Sequence, residues 1–484
     1  MIAETGLLSF GAYIPRNRLQ RHAIHAANGW FAGSLKDFAK GERATANWDE
    51  DPITMAVEAA RDTLTGIDRA NVASVSLAST TLPFADRLNA GVVKEALTLS
   101  DATGAFDVTG GQRIATSALI QAIAAAAGGS GPHLALASEM RLSQPASVAE
   151  MVNGDAAAGL LVGQGSVVAR LLGSRSVTID FVDHFRSSHA AVDYAWESRW
   201  TRDEGYAGMI GDALGKALAE MEVDAAKINR FVIPITSRGI AESLARRVGV
   251  RPQAVADRLS GSVGDSGVAH PFLLLAAALE AAAPGETVLL VGFGQGVDVL
   301  LFETTPAIVD LPARRGVKGS LARGVPTDNY LRWLFHRGML DLDKGMRAEA
   351  DQKQPGTALW RNRKTVLGLV GGRCTKTGTV QFPKSDIGVN PNDHAIGTQE
   401  DYPLADVRAR IVTYTADSLT YSPDPPSYYG MIDFDGGGRM VAEFADVEAD
   451  DVEVGRSVTM MFRIKAVDEA RDFTKYFWKA VPAT

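Results

Sequence analysis

The stretch ATSALIQAIAAAAGG at residues 115–129 decides the fold class through what stands on either side of it. It is an Ala-rich run stopped by two glycines, the composition and the ending of a helix. Before it, VASVSLAST (72–80) reads as a buried strand ending in small polar residues, and after it HLALASEM (133–140) reads as another. GDAAAGLLVG (154–163) opens a further strand with a Gly-Asp turn. Short apolar runs separated by helices imply parallel strands covered on both faces.

The same grammar returns after residue 180. INRFVIPITS (228–237) reads as a strand, PFLLLAAALEAAAPG (271–285) as a helix, and TVLLVGFGQGVDVLLFE (287–303) as two strands around a glycine turn. Two such passes imply two similar α/β halves, residues 1–170 and 171–305. The texture changes over 306–356, where helical NYLRWLFHRGML (329–340) lies between RRGVKGSLARGVPTD and the polar RAEADQKQPG; a linker with one docking helix is expected. Over 357–484 the pattern turns β-rich. KTVLGLVGGRC, GTVQFP, ARIVTYTADS, MIDFDGGGRMVAEFADV, SVTMMFRIKAVDE and FTKYFWKAVP alternate with Gly and Asp turns, which suits a small closed barrel.

Composition narrows the function classes. The 484 residues carry 49 basic and 57 acidic groups, a net charge of −8, with 46% hydrophobic and 22% charged residues. Those proportions fit a folded globular chain, and the acidic balance argues against a general nucleic-acid binder. No apolar run reaches the ~18 residues of a membrane helix, and the N-terminus lacks a basic–apolar–small signal pattern, so a cytoplasmic protein is expected. There is one cysteine, Cys374, which excludes an internal disulfide and a four-cysteine zinc site.

Four motifs, GAYIPRNRL (11–19), FDVTGGQRIATSALIQAI (106–123), EMVNGDAAAGLLVG (150–163) and GFGQG (292–296), resemble the thiolase superfamily, in its ketoacyl synthase III and hydroxymethylglutaryl-CoA synthase branch. YLRWLFHRGML, ALWRNRK, GGRCTKTGTVQFP and FTKYFWKAVP resemble the zinc-ribbon/OB-fold module that accompanies thiolase-like enzymes. The two resemblances span nearly the whole chain. They imply a five-layered α/β fold of two similar halves, then a small all-β OB-fold domain. They further imply CoA or acyl-carrier thioesters as substrates, carbon–carbon bond formation or cleavage, and a two-fold dimer.

Chemistry of this kind needs a nucleophile at a strand-to-helix junction, where the helix N-terminus and free backbone donors stabilise an anion. The resemblance puts a cysteine there. Counting from Asp107, this chain has Gln112, in Gly110-Gly111-Gln112-Arg113, and an amide cannot be acylated and released as a thiolate can. The family's glutamate aligns with Thr80, its histidine falls near Pro234, and its asparagine corresponds to Asp265. Asp265 and His270, five apart at the mouth of helix 271–283, suit a base oriented by a carboxylate. Gln112 and Arg113 complete the candidate catalytic set.

Candidate substrate contacts are Asp86 and Arg87, and Glu139 in Glu139-Met140-Arg141, all after strand ends or junctions where an open α/β fold keeps its ligand crevice. The segment DHFRSSHAAVDYAWESRWTRDEGY (183–206) adds His184 and Tyr194, because Val192-Asp193-Tyr194 resembles an insertion that shapes the acyl pocket in relatives. GFGQG resembles the glycine turn whose amide completes an oxyanion hole, which assigns the Gly294 region to the thioester oxygen.

In the tail, the relatives' four ribbon cysteines fall on Cys374, Thr377, Gly388 and Asp393, and His394 does not restore a four-ligand set; zinc is expected to be absent. Tyr476, Phe477 and Trp478 are expected as core and docking residues, not as base-stacking ones.

Three readings follow. The first is an enzyme acting on acyl-CoA thioesters by aldol, retro-aldol or decarboxylative chemistry without a catalytic cysteine, with coenzyme A entering only as part of the substrate and no covalently bound cofactor. Cysteine-free thiolase relatives paired with OB modules in side-chain degradation resemble this arrangement. The second is a non-catalytic acyl-CoA-binding partner of an active thiolase, and the third an acyltransferase with an unrecognised nucleophile. A homodimer, or assembly with other thiolase-like subunits, is expected for each.

Overall fold

A computed structural model describes residues 4–345, 348, 356–393 and 395–483. The chain forms two compact units. The first comprises Met1–Asn47, Asp51–Gly91 and Ser100–Arg337; the second comprises Gly338–Thr484 with Trp48–Glu50 and Val92–Leu99.

The first unit opens with β1 (Thr5–Tyr13), the short strands β2 (Asn17–Gln20) and β3 (Glu42–Thr45), and helix α1 (Pro52–Thr63). Asp51 starts α1 through a capping box with Thr54, with Pro52 at the first helical position. Then come β4 (Ser74–Ala78), β5 (Gly104–Val108), α2 (Ile114–Ala127), β6 (His133–Glu139) and β7 (Ala156–Gln164). The second half begins with β8 (Ala169–Thr178) and a two-stranded hairpin, β9 (His184–Phe185) and β10 (Tyr194–Ala195). A π-helix (Thr201–Ile210), α3 (Gly211–Glu220), β11 (Arg230–Val232), α4 (Ile240–Val248), α5 (His270–Glu280), β12 (Thr287–Phe293) and β13 (Gly296–Thr304) complete it.

The main sheet has nine strands in the order β11-β12-β13-β8-β1-β7-β6-β4-β5. Numbered within each half, the first half runs 3-2-4-5-1 from its edge. The second repeats 2-4-5-1, and its third strand survives as one parallel bridge between Phe231 and Val255. The duplication expected from element order is therefore present in topology.

The sheet is mixed and not the parallel one expected. β7 is antiparallel to β1 and β6, and β13 to β12 and β8. The reason is local: a glycine turn of two residues between β12 and β13 leaves no room for a crossover, so the chain must fold straight back. The strand expected over 228–237 is shorter, Arg230–Val232.

Alternation along β12 and β13 sorts the layers. Val288, Leu290, Leu300 and Phe302 pack with α2 and α5, whereas Leu289, Val291, Val299 and Leu301 pack with α3 and α4. With α1 on the far face of β1, β6 and β7, the unit has five layers. α5 is buried nearly all round, as an all-apolar helix between two sheets must be.

The stretch expected as a linker contributes to the first unit as far as Arg337. It supplies α6 (Gly316–Ala322), β14 (Val325–Thr327), which pairs in parallel with β2, and α7 (Tyr330–His336).

In the second unit, α8 (Arg363–Gly368) forms where KTVLG reads as strand-like, and β15 (Val370–Cys374) follows it. β15 pairs with β16 (Val380–Gln381) and β17 (Gln399–Pro403). The barrel uses β18 (Ala409–Ile411), β19 (Thr415–Asp417), β20 (Ser427–Phe434), β21 (Arg439–Glu443), β22 (Ser457–Asp468) and β23 (Phe473–Pro482). Antiparallel pairing runs β21-β20-β18-β22-β23, and a bridge from Phe444 to Ala480 closes the ring, removing open edges. Tyr476 and Trp478 are buried against Phe462, and Trp478 Nε1 donates to the Leu367 carbonyl at 2.7 Å; Phe477 is half-buried.

Candidate active site

The crevice of an open α/β sheet lies beyond the carboxyl ends of its parallel strands. Here those ends are the loops after β4, β5 and β6, joined by the β12–β13 turn and by the loop before α5.

At the junction between β5 and α2, Gly110 takes φ +113 and leads through Gly111 to Gln112 and Arg113. The β12–β13 turn presses on this junction. Gly294 has φ +149, and a Cβ there would stand 2.9 Å from the Arg113 amide nitrogen and 3.1 Å from the Gln112 Cβ. Only glycine fits. Gln112 thus lies directly against the turn, as the oxyanion assignment requires, but the Gly294 N–H donates to the Gly296 carbonyl at 3.1 Å.

Arg113 turns away from solvent. It pairs with buried Asp298 at 2.6 Å, and Asp298 also accepts from Thr116, Ser117 and Ser176 at 2.8, 2.8 and 2.6 Å. Four donors on one buried carboxylate are a structural anchor for the start of α2.

Arg141, two residues beyond β6, is the centre of the remaining charge. Its Nη2 lies 3.2 Å from the Asp265 carboxylate and Nη1 3.9 Å from Asp193. Nη2 also donates to Asn153 Oδ1 at 3.2 Å. Burial opposes its charge, but Asp265, Asp193, Glu139 and Asp183 outweigh it and keep the guanidinium protonated. Burial likewise opposes ionisation of Asp265. Arg141, His270 and the Gly267 amide prevail and hold its carboxyl below the usual range. Its side chain keeps 26% exposure, so it is ionised and reachable.

Glu139 is fully buried. It accepts from the Thr80 amide at 3.1 Å and from the Thr80 hydroxyl at 3.0 Å, and burial pushes its carboxyl up. Thr80, at the end of β4, therefore binds a carboxyl supplied from the neighbouring strand β6. Two carboxyl groups, one raised and one lowered, flank a single arginine, a pattern that separates acid from base.

His270 stands apart from the arrangement expected of it. Its exposure is 0%, and Nδ1 faces the Ser266 hydroxyl at 3.1 Å instead of the Asp265 carboxylate. Burial lowers its pKa, with Asp265 opposing and Arg141 reinforcing. Asp265 reaches it through space only, because the Asp265 carboxylate is turned to the Gly267 amide at 2.8 Å.

A family model described as 3-oxoacyl-[acyl-carrier-protein] synthase III C terminal matches residues 218–300, and one described as ChsH2, C-terminal OB-fold domain matches residues 402–463. The chain is 26% identical over 301 residues to hydroxymethylglutaryl-CoA synthase of Pyrococcus horikoshii, covering 61% of this chain and 84% of that one. It is 26% identical over 342 residues to hydroxymethylglutaryl-CoA synthase of Archaeoglobus fulgidus, covering 69% and 98%. Among solved structures it is similar to MvaS in complex with 3-hydroxy-3-methylglutaryl coenzyme A, with TM-score 0.58 and 18% identity, over 69% of this chain and 92% of that one.

The chain joins a domain of thiolase-like fold to a C-terminal domain similar to the OB-fold domain of ChsH2. The first is similar to hydroxymethylglutaryl-CoA synthase and ketoacyl synthase III.

Within this thiolase-like domain the 183–206 segment contributes other residues than those expected. Tyr194 is 59% exposed and packs on Phe185 and Trp196, while its neighbour Asp193 turns to Arg141 and lies 3.5 Å from Arg186. Arg186 in turn donates to the Thr80 carbonyl. His184 pairs with Asp183 at 3.0 Å. Asp86 is exposed, and Arg87 lies over the Phe84 ring at 4.5 Å.

Sequence reasoning missed Asn153 and Tyr206. Tyr206 is the last residue of the aromatic-rich segment already singled out, and its ring meets Phe293 edge-on at 5.3 Å. Gln112, Gly294, Phe293 and Tyr206 follow one another outward from the junction.

In the second unit, Cys374 contacts the Thr398 hydroxyl at 3.1 Å and lies 3.9 Å from Asp393. Hydrogen bonds from Thr377 and Thr398 draw its thiol down to about 7. One sulfur among hydroxyls and a carboxylate does not fit a structural zinc, and no group of three or more His, Cys, Asp or Glu side chains assembles as metal ligands among the described residues. His394 lies outside the described residues. No helix among the described residues is long and apolar enough to cross a membrane.

Proposed function

We propose that the thiolase-like domain makes or breaks a carbon–carbon bond beside an acyl-CoA thioester carbonyl without an acyl-cysteine. The single observation that carries this reading is the Asp265–Arg141 pair, an ionised and accessible carboxylate beside a buried guanidinium, in a crevice whose strand-to-helix junction bears Gln112. The relatives' printed name, hydroxymethylglutaryl-CoA synthase, supports a thioester substrate.

In the cleavage direction, the Asp265 carboxylate takes the proton of a 3-hydroxyl group. The C2–C3 bond then breaks, its electron pair enters the thioester as an enolate, C3 leaves as a carbonyl, and the enolate regains a proton at C2. In the forming direction the same steps reverse, and a 2-carboxylated thioester reaches the same enolate by losing carbon dioxide. Each route passes through an enolate and none requires a thiol. A positioned general base supplies typically 10²–10⁴-fold.

β5 ends the sheet and leaves Phe106 half-exposed, which supports the two-fold dimer expected of the fold. The test of function is incubation of the purified chain alone with 3-hydroxyacyl-, 3-oxoacyl- and malonyl-CoA thioesters, followed by product mass. Turnover with no acyl adduct on the intact protein is the expected result. Absence of turnover, together with tight capture of a cysteine-bearing thiolase, would favour the partner-subunit reading instead.

A further inference from the structure

We propose that Tyr206 donates the hydrogen bond that receives the thioester oxygen as it becomes an enolate oxygen. This rests on the function proposed above.

An enolate needs a donor aimed at the oxygen where charge develops. The glycine turn expected to supply one has its Gly294 N–H committed to the Gly296 carbonyl. A side chain beside the turn can supply the donor that Gly294 does not, and the backbone around Tyr206 is built in an unusual way. Residues Thr201–Ile210 form a π-helix, a geometry that is rare over even one turn and frequent at functional sites. It is pressed against the site at Gly205, where a Cβ would stand 2.7 Å from the Phe181 ring and 3.4 Å from Phe293.

That close approach fixes the next residue. The Tyr206 ring stands edge-on to Phe293, the residue immediately before Gly294, while Phe181 stacks on Trp200 at 4.1 Å behind it. The ring is thus held against the residue that precedes the turn touching Gln112, and the hydroxyl lies within electrostatic reach of Asp183, Asp265 and Arg141. Burial and the two carboxylates keep it protonated at any working pH, which makes it a donor and not a base. Asp265 and Tyr206 then divide the work: the first accepts the hydroxyl proton and the second holds the oxygen that gains charge.

The test compares wild type with Tyr206→Phe, which keeps the ring against Phe293. Two binding probes are used: carboxymethyl-CoA, whose carboxylate stands in for the enolate, and uncharged carbamoylmethyl-CoA. Wild type is expected to prefer the charged probe at least tenfold and the variant to lose that preference. The variant's kcat is expected to fall about 10²-fold with KM within a few-fold, in line with loss of one oxyanion donor. If the variant fails to fold, Tyr206→Met gives the same comparison. Equal preference in wild type and variant, with wild type still turning over substrate, overturns the role of Tyr206 alone. Binding of neither probe and no turnover by wild type overturns both this role and the function on which it rests.

Discussion

Arg141 and Asp265 meet at 3.2 Å, and one short segment, residues 152–154, holds the Asp265 backbone and the Arg141 guanidinium. The Asp265 amide donates to Val152, and its carbonyl accepts from Gly154 and from Arg141 Nη2. Asn153 in turn accepts from Arg141, whose own carbonyl accepts from Arg337 at 2.9 Å. Gly154 is where this closeness becomes obligatory, since a Cβ there would collide with the Val263 carbonyl at 1.9 Å. The pair is fixed before any substrate arrives, as a catalytic carboxylate and its counter-ion should be.

Replacing Arg141 with Met should raise the Asp265 carboxyl, because burial then acts without its main opponent. In the native protein Asp265 has a lowered pKa. Its contribution to stability is therefore full above the unfolded value of about 3.9 and is lost as pH falls through the folded value. The acid limb of kcat/KM should move to higher pH in Arg141→Met, and the fold should lose about 3–5 kcal/mol as neighbouring buried acids go unpaired. An acid limb that stays in place would remove Arg141 from the account.

Arg113 and Asp298 make a different claim, of architecture and not chemistry. Asp298→Asn leaves a buried guanidinium facing a neutral amide and should cost about 3–5 kcal/mol, read as a lower Tm. Arg113→Lys should keep the charge, weaken the fold less, and leave KM within a few-fold. A large kcat loss at unchanged Tm in Arg113→Lys would restore Arg113 to the catalytic set.

His270 gives a stability signature that needs no substrate. Its folded pKa is lowered by burial, so the unfolded chain binds the extra proton first. Stability should rise with pH across the window below the unfolded value of about 6.5, by no more than about 1.4 kcal/mol per pH unit from this group. His270→Gln should flatten that slope in chemical denaturation at pH values on either side of the window. An unchanged slope would show that another group carries it.

Much of this was legible in the sequence. The Ala-rich helix ending at Gly128, the strands on both sides of it and the β12–β13 hairpin stand where residues 72–163 and 287–303 put them, since each carries its own period and its own stop. Strand direction was not legible, because apolar runs look alike whether they return by a turn or a crossover. KTVLG fooled the reading because three β-capable residues at the end of a short helix imitate a strand. At the site, Gln112 could be counted from Asp107, and Asp265 from the glycine before it. The choice of Asp193 over Tyr194, and of Ser266 over Asp265 as the partner of His270, is set by which way one side chain turns. Tyr206 depends on a π-helix, whose spacing no 3.6-residue pattern reveals.

The most direct test of the central claim is the turnover of Asp265→Asn beside that of wild type and Cys374→Ala, on whichever CoA thioester the wild type consumes. The substitution keeps the shape of Asp265 and removes the base together with one of the charges facing Arg141, while Asp193, Glu139 and Asp183 remain, so its Tm is read beside its kcat. The account predicts a loss of at least 10²-fold in kcat for Asp265→Asn and wild-type turnover for Cys374→Ala. Undiminished turnover in Asp265→Asn, or turnover abolished by Cys374→Ala, would contradict it.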